Sequence, residues 1–167
     1  MEIYFLRHGI AVPHGGGDAA DDSERTLTPE GLETIERNAK ALKKTGWSFD
    51  WLISSPYARA RQTAEAVAGV FKAEGKLRFS ANLVPGSDPR LLIVEARKLL
   101  PWKRIVFVGH EPDLTELISK LTTGNRDLSI KLKKGGLCKL DADQLTYEKC
   151  ATLEWLLTPR QIALWDN

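Results

Sequence analysis

The sequence predicts a three-layer α/β/α fold with a largely parallel central sheet, and three features carry that prediction. Short apolar, β-branched runs alternate with longer segments of helical period. Three of those runs break abruptly into polar residues, as strands of an open sheet do at their carboxyl ends. No linker, internal repeat or shift in composition divides the chain, so residues 1–167 are read as one domain.

The elements follow in order. Ile3-Tyr4-Phe5-Leu6 is the first apolar run and stops at Arg7-His8-Gly9. Residues 14–26 hold Gly15, Gly16 and Gly17 among several acids without an apolar period, which predicts a mobile loop. The glycine run lacks the Lys-Ser/Thr of a nucleotide-binding loop, and His14 is expected in solvent. Thr28-Pro29-Glu30-Gly31 opens a helix, with threonine as cap and proline at the first helical position. Leu32, Ile35, Ala39 and Leu42 keep helical spacing, and Gly46 ends the run.

Trp51-Leu52-Ile53 is the second buried strand, broken by Ser54-Ser55-Pro56. A helix follows from about Tyr57 to Ala73, with Ala60, Ala64, Val67 and Phe71 on one face. Leu77 to Phe79 reads as a short strand, and Asp88 to Leu100 as a helix capped by Ser87 or Asp88. Arg104 to Val108 is the clearest strand and runs into Gly109-His110. A further helix starts near Pro112 and ends at Gly124. Lys131 to Lys134 alternates like a solvated strand edge. Leu137 to Leu140 and Ala151 to Leu157 are predicted to pair through a turn around Asp141 to Gln144.

Composition narrows the function. Apolar residues make up 43% and charged residues 28%, a normal globular balance, and the formal charge of +2 is too small to argue for nucleic acid or an anionic membrane. No apolar stretch approaches the roughly 20 residues a bilayer span needs. The start, Met1-Glu2, has no basic region or small-residue cleavage site, so a cytoplasmic location is expected. Cys138 and Cys150 form no disulfide framework or metal motif and read as free, buried thiols. The tryptophans Trp47, Trp51, Trp102, Trp155 and Trp165 read as core and edge packing.

The chemistry is expected where strands end. His8 and His110 each follow a strand and sit beside Gly9 and Gly109, glycines that would let backbone approach a ligand. Arg59 lies in the first turn after Pro56, where it can reach back to the strand ends and where a helix N-terminus favours an anion. Arg61 reads as a surface residue. Arginine offers a planar, permanently charged fork that meets phosphate bidentately.

Arg7-His8-Gly9, then Ser55-Pro56-Tyr57-Ala58-Arg59-Ala60-Arg61-Gln62-Thr63-Ala64, then Val108-Gly109-His110 resemble the ordered signatures of the histidine phosphatase (phosphoglycerate mutase-like) superfamily. Arg25-Thr26-Leu27-Thr28-Pro29-Glu30-Gly31 is similar to the segment leading into its first helix. The short SixA-type phosphohistidine phosphatases fit best. The resemblance implies a phosphoglycerate mutase-like fold, with His8 as phosphoryl acceptor, His110 as its partner, Arg7 and Arg59 as phosphate clamps and Arg25 as a further clamp. No metal or other cofactor is expected.

One departure sharpens the expectation. Many members of that superfamily carry a glutamate as proton donor, but here the corresponding stretch reads Asn82-Leu83-Val84-Pro85-Gly86-Ser87-Asp88. Asp88 and Glu111 are the remaining candidates. No insertion is long enough to form a cap, so the cleft is expected to be open. A phosphohistidine leaving group, with a pKa near about 6.5, needs little protonation, unlike an alkoxide. The expected substrate is therefore phosphohistidine on a histidine phosphotransfer protein of a phosphorelay, with a monomer favoured. The alternatives are a phosphatase of small phosphomonoesters and a non-catalytic phosphate-binding module; a mutase would need an enclosed site.

Overall fold

The structure is a computed structural model that describes residues 1–14 and 21–166. Six strands form one sheet: β1 (Glu2–Arg7), β2 (Trp51–Ser54), β3 (Leu77–Phe79), β4 (Arg104–Gly109), β5 (Leu137–Ala142) and β6 (Ala151–Leu157), in the order β3-β2-β4-β1-β5-β6. The first four in that order are parallel. The last two add antiparallel, β5 against β1 and β6 against β5. A largely parallel sheet is the result, with the antiparallel pair confined to one side.

The helices are α1 (Pro29–Lys44), α2 (Ala58–Phe71), α3 (Pro89–Lys98), α4 (Asp113–Thr123) and α5 (Pro159–Ile162). They cover both faces because the central strands are apolar on both. Ile3 and Phe5 of β1 join Ile105 and Phe107 of β4 in a core closed by Leu92 and Ile93 of α3 and by Leu114, Leu117 and Ile118 of α4. The intervening residues Tyr4, Leu6, Val106 and Val108 point the other way. There they pack on Ile35, Ala39 and Leu42 of α1 and on Ala60, Ala64 and Val67 of α2. Period-2 alternation in a doubly covered strand thus builds three layers from continuous apolar runs.

Most element ends follow local chemistry. The Thr28 side chain accepts from Gly31 N–H, and Pro29 occupies the first helical turn of α1. Asp88, rather than Ser87, caps α3 by accepting from Arg90 N–H. Gly124, in the left-handed region, ends α4. Trp102 is buried and Trp165 is 41% exposed; Cys138 is buried and Cys150 only half-buried.

Two expectations need correction or bounding, and one element, α5, was not expected. Lys131 to Lys134 is no strand edge but an irregular segment in which Leu132 is buried. The short α5 has no helical period long enough to read, although Thr158 and Gln161 form a capping box at its start. In the expected loop, Asp22–Glu24 forms a 3-10 turn, whereas the Gly15-Gly16-Gly17 run lies outside the described residues.

Candidate active site

Parallel register brings the two strand-end histidines together. Arg7 of β1 pairs with Gly109 of β4, so the next residues, His8 and His110, emerge side by side, and His8 N–H donates to the Gly109 carbonyl at 3.1 Å. Their ring centroids are 5.2 Å apart, with His8 6% and His110 2% exposed. On the other flank of β4, Ser54 pairs with Val108, and Ser55 N–H donates to the Val108 carbonyl at 2.9 Å. Ser55 therefore stands beside His110, its Oγ 2.8 Å from Nε2.

Hydrogen bonds assign the state of each ring. His8 Nδ1 lies 2.7 Å from the Gly9 carbonyl, which can only accept, so Nδ1 carries the proton and Nε2 keeps its lone pair. Arg59 Nε–H points at that lone pair from 3.3 Å. Ser55 Oγ already accepts from Tyr57 N–H, so its hydroxyl proton is free to donate to His110 Nε2. Because that hydroxyl has no other acceptor among the described residues, this arrangement leaves the His110 proton on Nδ1, which is buried and has no partner among them. One histidine thus offers a lone pair and its neighbour an unused donor.

Burial and positive charge keep both rings neutral. The pKa of His8 is lowered to about 4, first by burial and then by Arg59 and Arg7, against the raising effect of the Gly9 carbonyl. His110 is lowered to about 3 by burial, then by Arg59 and His8. Histidine is ordinarily part-charged near neutrality; here it is a neutral base.

Arg7 and Arg59 flank the pair, and Arg25 joins Arg59 through Asp22. The Arg7 side chain donates from one terminal nitrogen to the Leu132 carbonyl at 3.0 Å, while its buried Nε has no partner. Arg59, 5% exposed, is held from below because Thr63 Oγ1 donates to its carbonyl and accepts from Gly9 N–H. Its helix, α2, begins without a side-chain cap, and Ala60 and Arg61 N–H donate to the Tyr57 carbonyl. Arg25 anchors through Nε to the Val12 carbonyl and reaches Asp22 at 2.7 Å. Arg61 is exposed and only approaches Glu65, at 3.9 Å.

Asp22 occupies the space between the arginines. Its Oδ1 meets Arg25 at 2.7 Å, its Oδ2 meets Arg59 at 2.9 Å, and its carbonyl accepts from Arg59 at 2.6 Å. Partial burial pushes the Asp22 pKa up, but hydrogen bonds from Arg25 and Arg59 together outweigh it and leave the carboxylate below its usual range. Such arginine donors are of the kind that also bind a tetrahedral oxyanion.

The two proton-donor candidates separate. Asp88 is tied to Arg90 through the backbone N–H and the guanidinium, and the Arg90 side chain lowers its pKa first of all. It lines a cleft that His110 also borders. Glu111 directly follows His110 and is half-buried; burial raises its pKa, opposed by a hydrogen bond from Thr115 and by Arg7. Its Oε1 is buried without a partner. Gly9 and Gly109 also serve differently than expected. A Cβ at Gly9 would meet Ile35 and Leu27, and one at Gly109 would meet Leu114, so the room these glycines leave goes to packing rather than to a ligand. The sequence reading had no signal for Asp22 or Thr63. Ser55 could have been found as the third strand-end polar residue.

Beside His110 a cleft of about 370 Å³ opens between the 82–90 segment and α4, lined by Leu83, Val84, Arg90, Asp113, Arg126 and Tyr147 among others. Among the described residues no three His, Cys, Asp or Glu side chains gather as a metal ion would require. No described helix is long and apolar enough to cross a membrane.

An open α/β sheet whose adjacent strand ends bring His8 beside His110, with Arg7 at one of those ends and Arg59 reaching His8 from α2, suits a tetrahedral oxyanion such as a phosphoryl group. The histidine phosphatase superfamily (branch 1) matches residues 3–82 of the chain. An uncharacterized protein of Picosynechococcus sp. is 36% identical over 141 residues, 84% of each chain. Phosphohistidine phosphatase SixA of Escherichia coli K12 is 28% identical over 126 residues, 74% of this chain and 76% of that one. A solved structure of the protein histidine phosphatase SixA complexed with tungstate superposes at a TM-score of 0.81, covering 96% of this chain and 98% of that one at 23% identity. The chain belongs to the histidine phosphatase superfamily, and SixA phosphatases are among the proteins it is similar to.

Proposed function

We propose that the protein hydrolyses phosphohistidine on a histidine phosphotransfer protein through a phosphoryl intermediate on His8. The observation that carries this reading is the buried Nε2 lone pair of a histidine held neutral, with its Nδ1 proton committed to the Gly9 carbonyl. In the first step Nε2 attacks phosphorus as the P–N bond of the substrate breaks. The departing ring leaves as neutral imidazole, provided its other nitrogen carries a proton. In the second step water attacks the phosphoryl group, gives inorganic phosphate and returns the lone pair to His8.

Phosphoryl transfer asks mainly for positioning and for stabilised charge on the equatorial oxygens. Arg7, Arg59 and Arg25 supply the charge, and His110 Nδ1–H supplies a neutral donor. Glu111, next to His110 and with its pKa raised by burial, is the candidate general acid where one is needed. The reading takes residues 1–167 as one domain without a lid and the chemistry as metal-independent.

A second reading has its own support. The cleft beside His110 has the volume of a small-molecule pocket, which would suit a phosphorylated metabolite. A panel of a phosphohistidine protein, an aryl phosphate and sugar phosphates separates the two, with phosphohistidine expected to give the highest kcat/KM. His8→Ala should abolish turnover and the acid-labile phosphoenzyme trapped at short times. Turnover retained in that variant would end the mechanism.

A further inference from the structure

The rim beyond Arg7 carries charge that the reaction does not use. An open depression there is lined by Arg7, Ile10, Lys133, Lys134, Pro159 and Arg160. Lys133, Lys134 and Arg160 are exposed, and none has an acidic partner within 4.0 Å among the described residues. The opposite rim differs. Around the cleft beside His110, Arg90 pairs with Asp88 and Arg126 with Glu116, both at 2.9 Å. One side of the site is internally neutralised and the other is not.

These cations are held in place relative to the nucleophile. Gly136 carbonyl accepts from Arg7 N–H at 3.1 Å, Gly135 N–H lies 3.0 Å from the carbonyls of both Arg7 and His8, and the Leu132 carbonyl holds the Arg7 side chain. Buried Leu132 anchors the segment so that its flanking lysines project outward. Gly135 has φ +71°, and a Cβ there would press on Pro159 Cγ at 3.3 Å. That close approach sets α5, and with it Arg160, against the lysine segment. Lys134 is near enough to contribute to the lowered pKa of His8.

We infer that Lys133, Lys134 and Arg160 form a docking surface for an acidic face of a protein substrate, flanking the phosphorylated side chain as it enters toward His8. The inference rests on the protein-substrate reading proposed above and adds the chemistry of the partner. His8 is nearly closed to solvent, and Gly135 bonds the lysine segment to the His8 carbonyl, so a protein surface seated over His8 lies beside this rim. Complementary rim charge acts mainly on encounter and on the choice of partner. The surface is small and the chain carries only +2 overall, which favours a defined acidic patch over a long polyanion.

The test is the charge reversal K133E/R160E, which leaves out Lys134 because of its effect on His8. Two measurements keep the failures apart. The first is binding of a fluorescent ten-residue polyglutamate peptide, read by anisotropy with and without saturating inorganic phosphate. The wild-type protein should bind it whether or not phosphate fills the site, and the variant should bind at least tenfold more weakly. The second is kcat/KM on a phosphohistidine protein and on p-nitrophenyl phosphate. The reversal should lower the first at least tenfold through KM and leave the second unchanged, and added salt should shrink the difference.

Absence of polyglutamate binding, or equal binding by the variant, overturns the docking surface whatever the substrate. So does a variant that keeps its kcat/KM on the phosphohistidine protein, or a surface that takes a small bisphosphate and not the peptide. Wild-type protein that binds the peptide but never turns over a phosphohistidine protein sinks the proposed substrate and leaves the acidic-partner surface standing.

Discussion

Lowering the pH should expose the two buried histidines as a stability liability that an ordinary histidine pair would not create. In the unfolded chain each ring has a pKa near about 6.5; in the folded protein His8 stays neutral down to about 4 and His110 to about 3. Between those limits the unfolded state binds protons that the native state refuses, so stability falls as pH falls. The contribution is fully present above about pH 6.5 and is lost on the way down to the folded values. At pH 5 the linkage gives about 2 kcal/mol for each ring.

The assay is denaturant unfolding at pH 7 and pH 5 for the wild-type protein and for His8→Asn. Most other groups titrate alike in both proteins and cancel in the comparison; losing His8 eases His110 upward, which changes the difference in the same direction. The variant should lose about 2 kcal/mol less than the wild type between the two pH values. A proton NMR titration should find no His8 or His110 transition above pH 5.5. Equal pH dependence in both proteins, or a His8 pKa near 6.5, would refute the claim that burial and arginine charge keep His8 neutral. The same reasoning predicts that phosphoenzyme formation keeps its rate from pH 8 down to pH 5, as far as the enzyme's own histidines limit it.

Four further outcomes are expected. Arg59→Ala should lower kcat/KM by about 10²-fold or more, because its contacts strengthen as charge develops on the phosphoryl oxygens, whereas exposed Arg61→Ala should do little; similar effects from both would misplace the clamp. Asp22→Asn removes a carboxylate from the donors an oxyanion needs but keeps the Asp22 carbonyl bond to Arg59, so the inhibition constant for inorganic phosphate should fall several-fold, by roughly 1 kcal/mol; a rise would mean that the carboxylate positions the arginines instead. A plot of log kcat against leaving-group pKa should be steep, with alkyl phosphates poorest, and Glu111→Gln should hurt those substrates most. Activity should survive EDTA, and loss restored by Mg²⁺ would point to different chemistry.

The sequence by itself determined the elements and the chemical kinds at their ends. Continuous apolar strands such as Ile105 to Val108, and helices such as α1 with its Thr28 cap, are local facts: spacing, branching and capping act within a few residues. So is the position of His8 and His110 just past two strands. The tertiary structure decided what those residues do to one another. Register between β1, β4 and β2 brings His8, His110 and Ser55 together across separations of 102 and 55 residues, and no local pattern encodes register between distant parallel strands. The neutrality of His8 depends on burial and on Arg59, and the hold on Arg25 and Arg59 depends on Asp22, which arrives from a segment with no hydrophobic period. Lys131 to Lys134 misread as a strand edge for the same reason. What fixes it is buried Leu132 and the backbone of Arg7 and His8, contacts set by folding over more than a hundred residues rather than by the alternation of its own side chains.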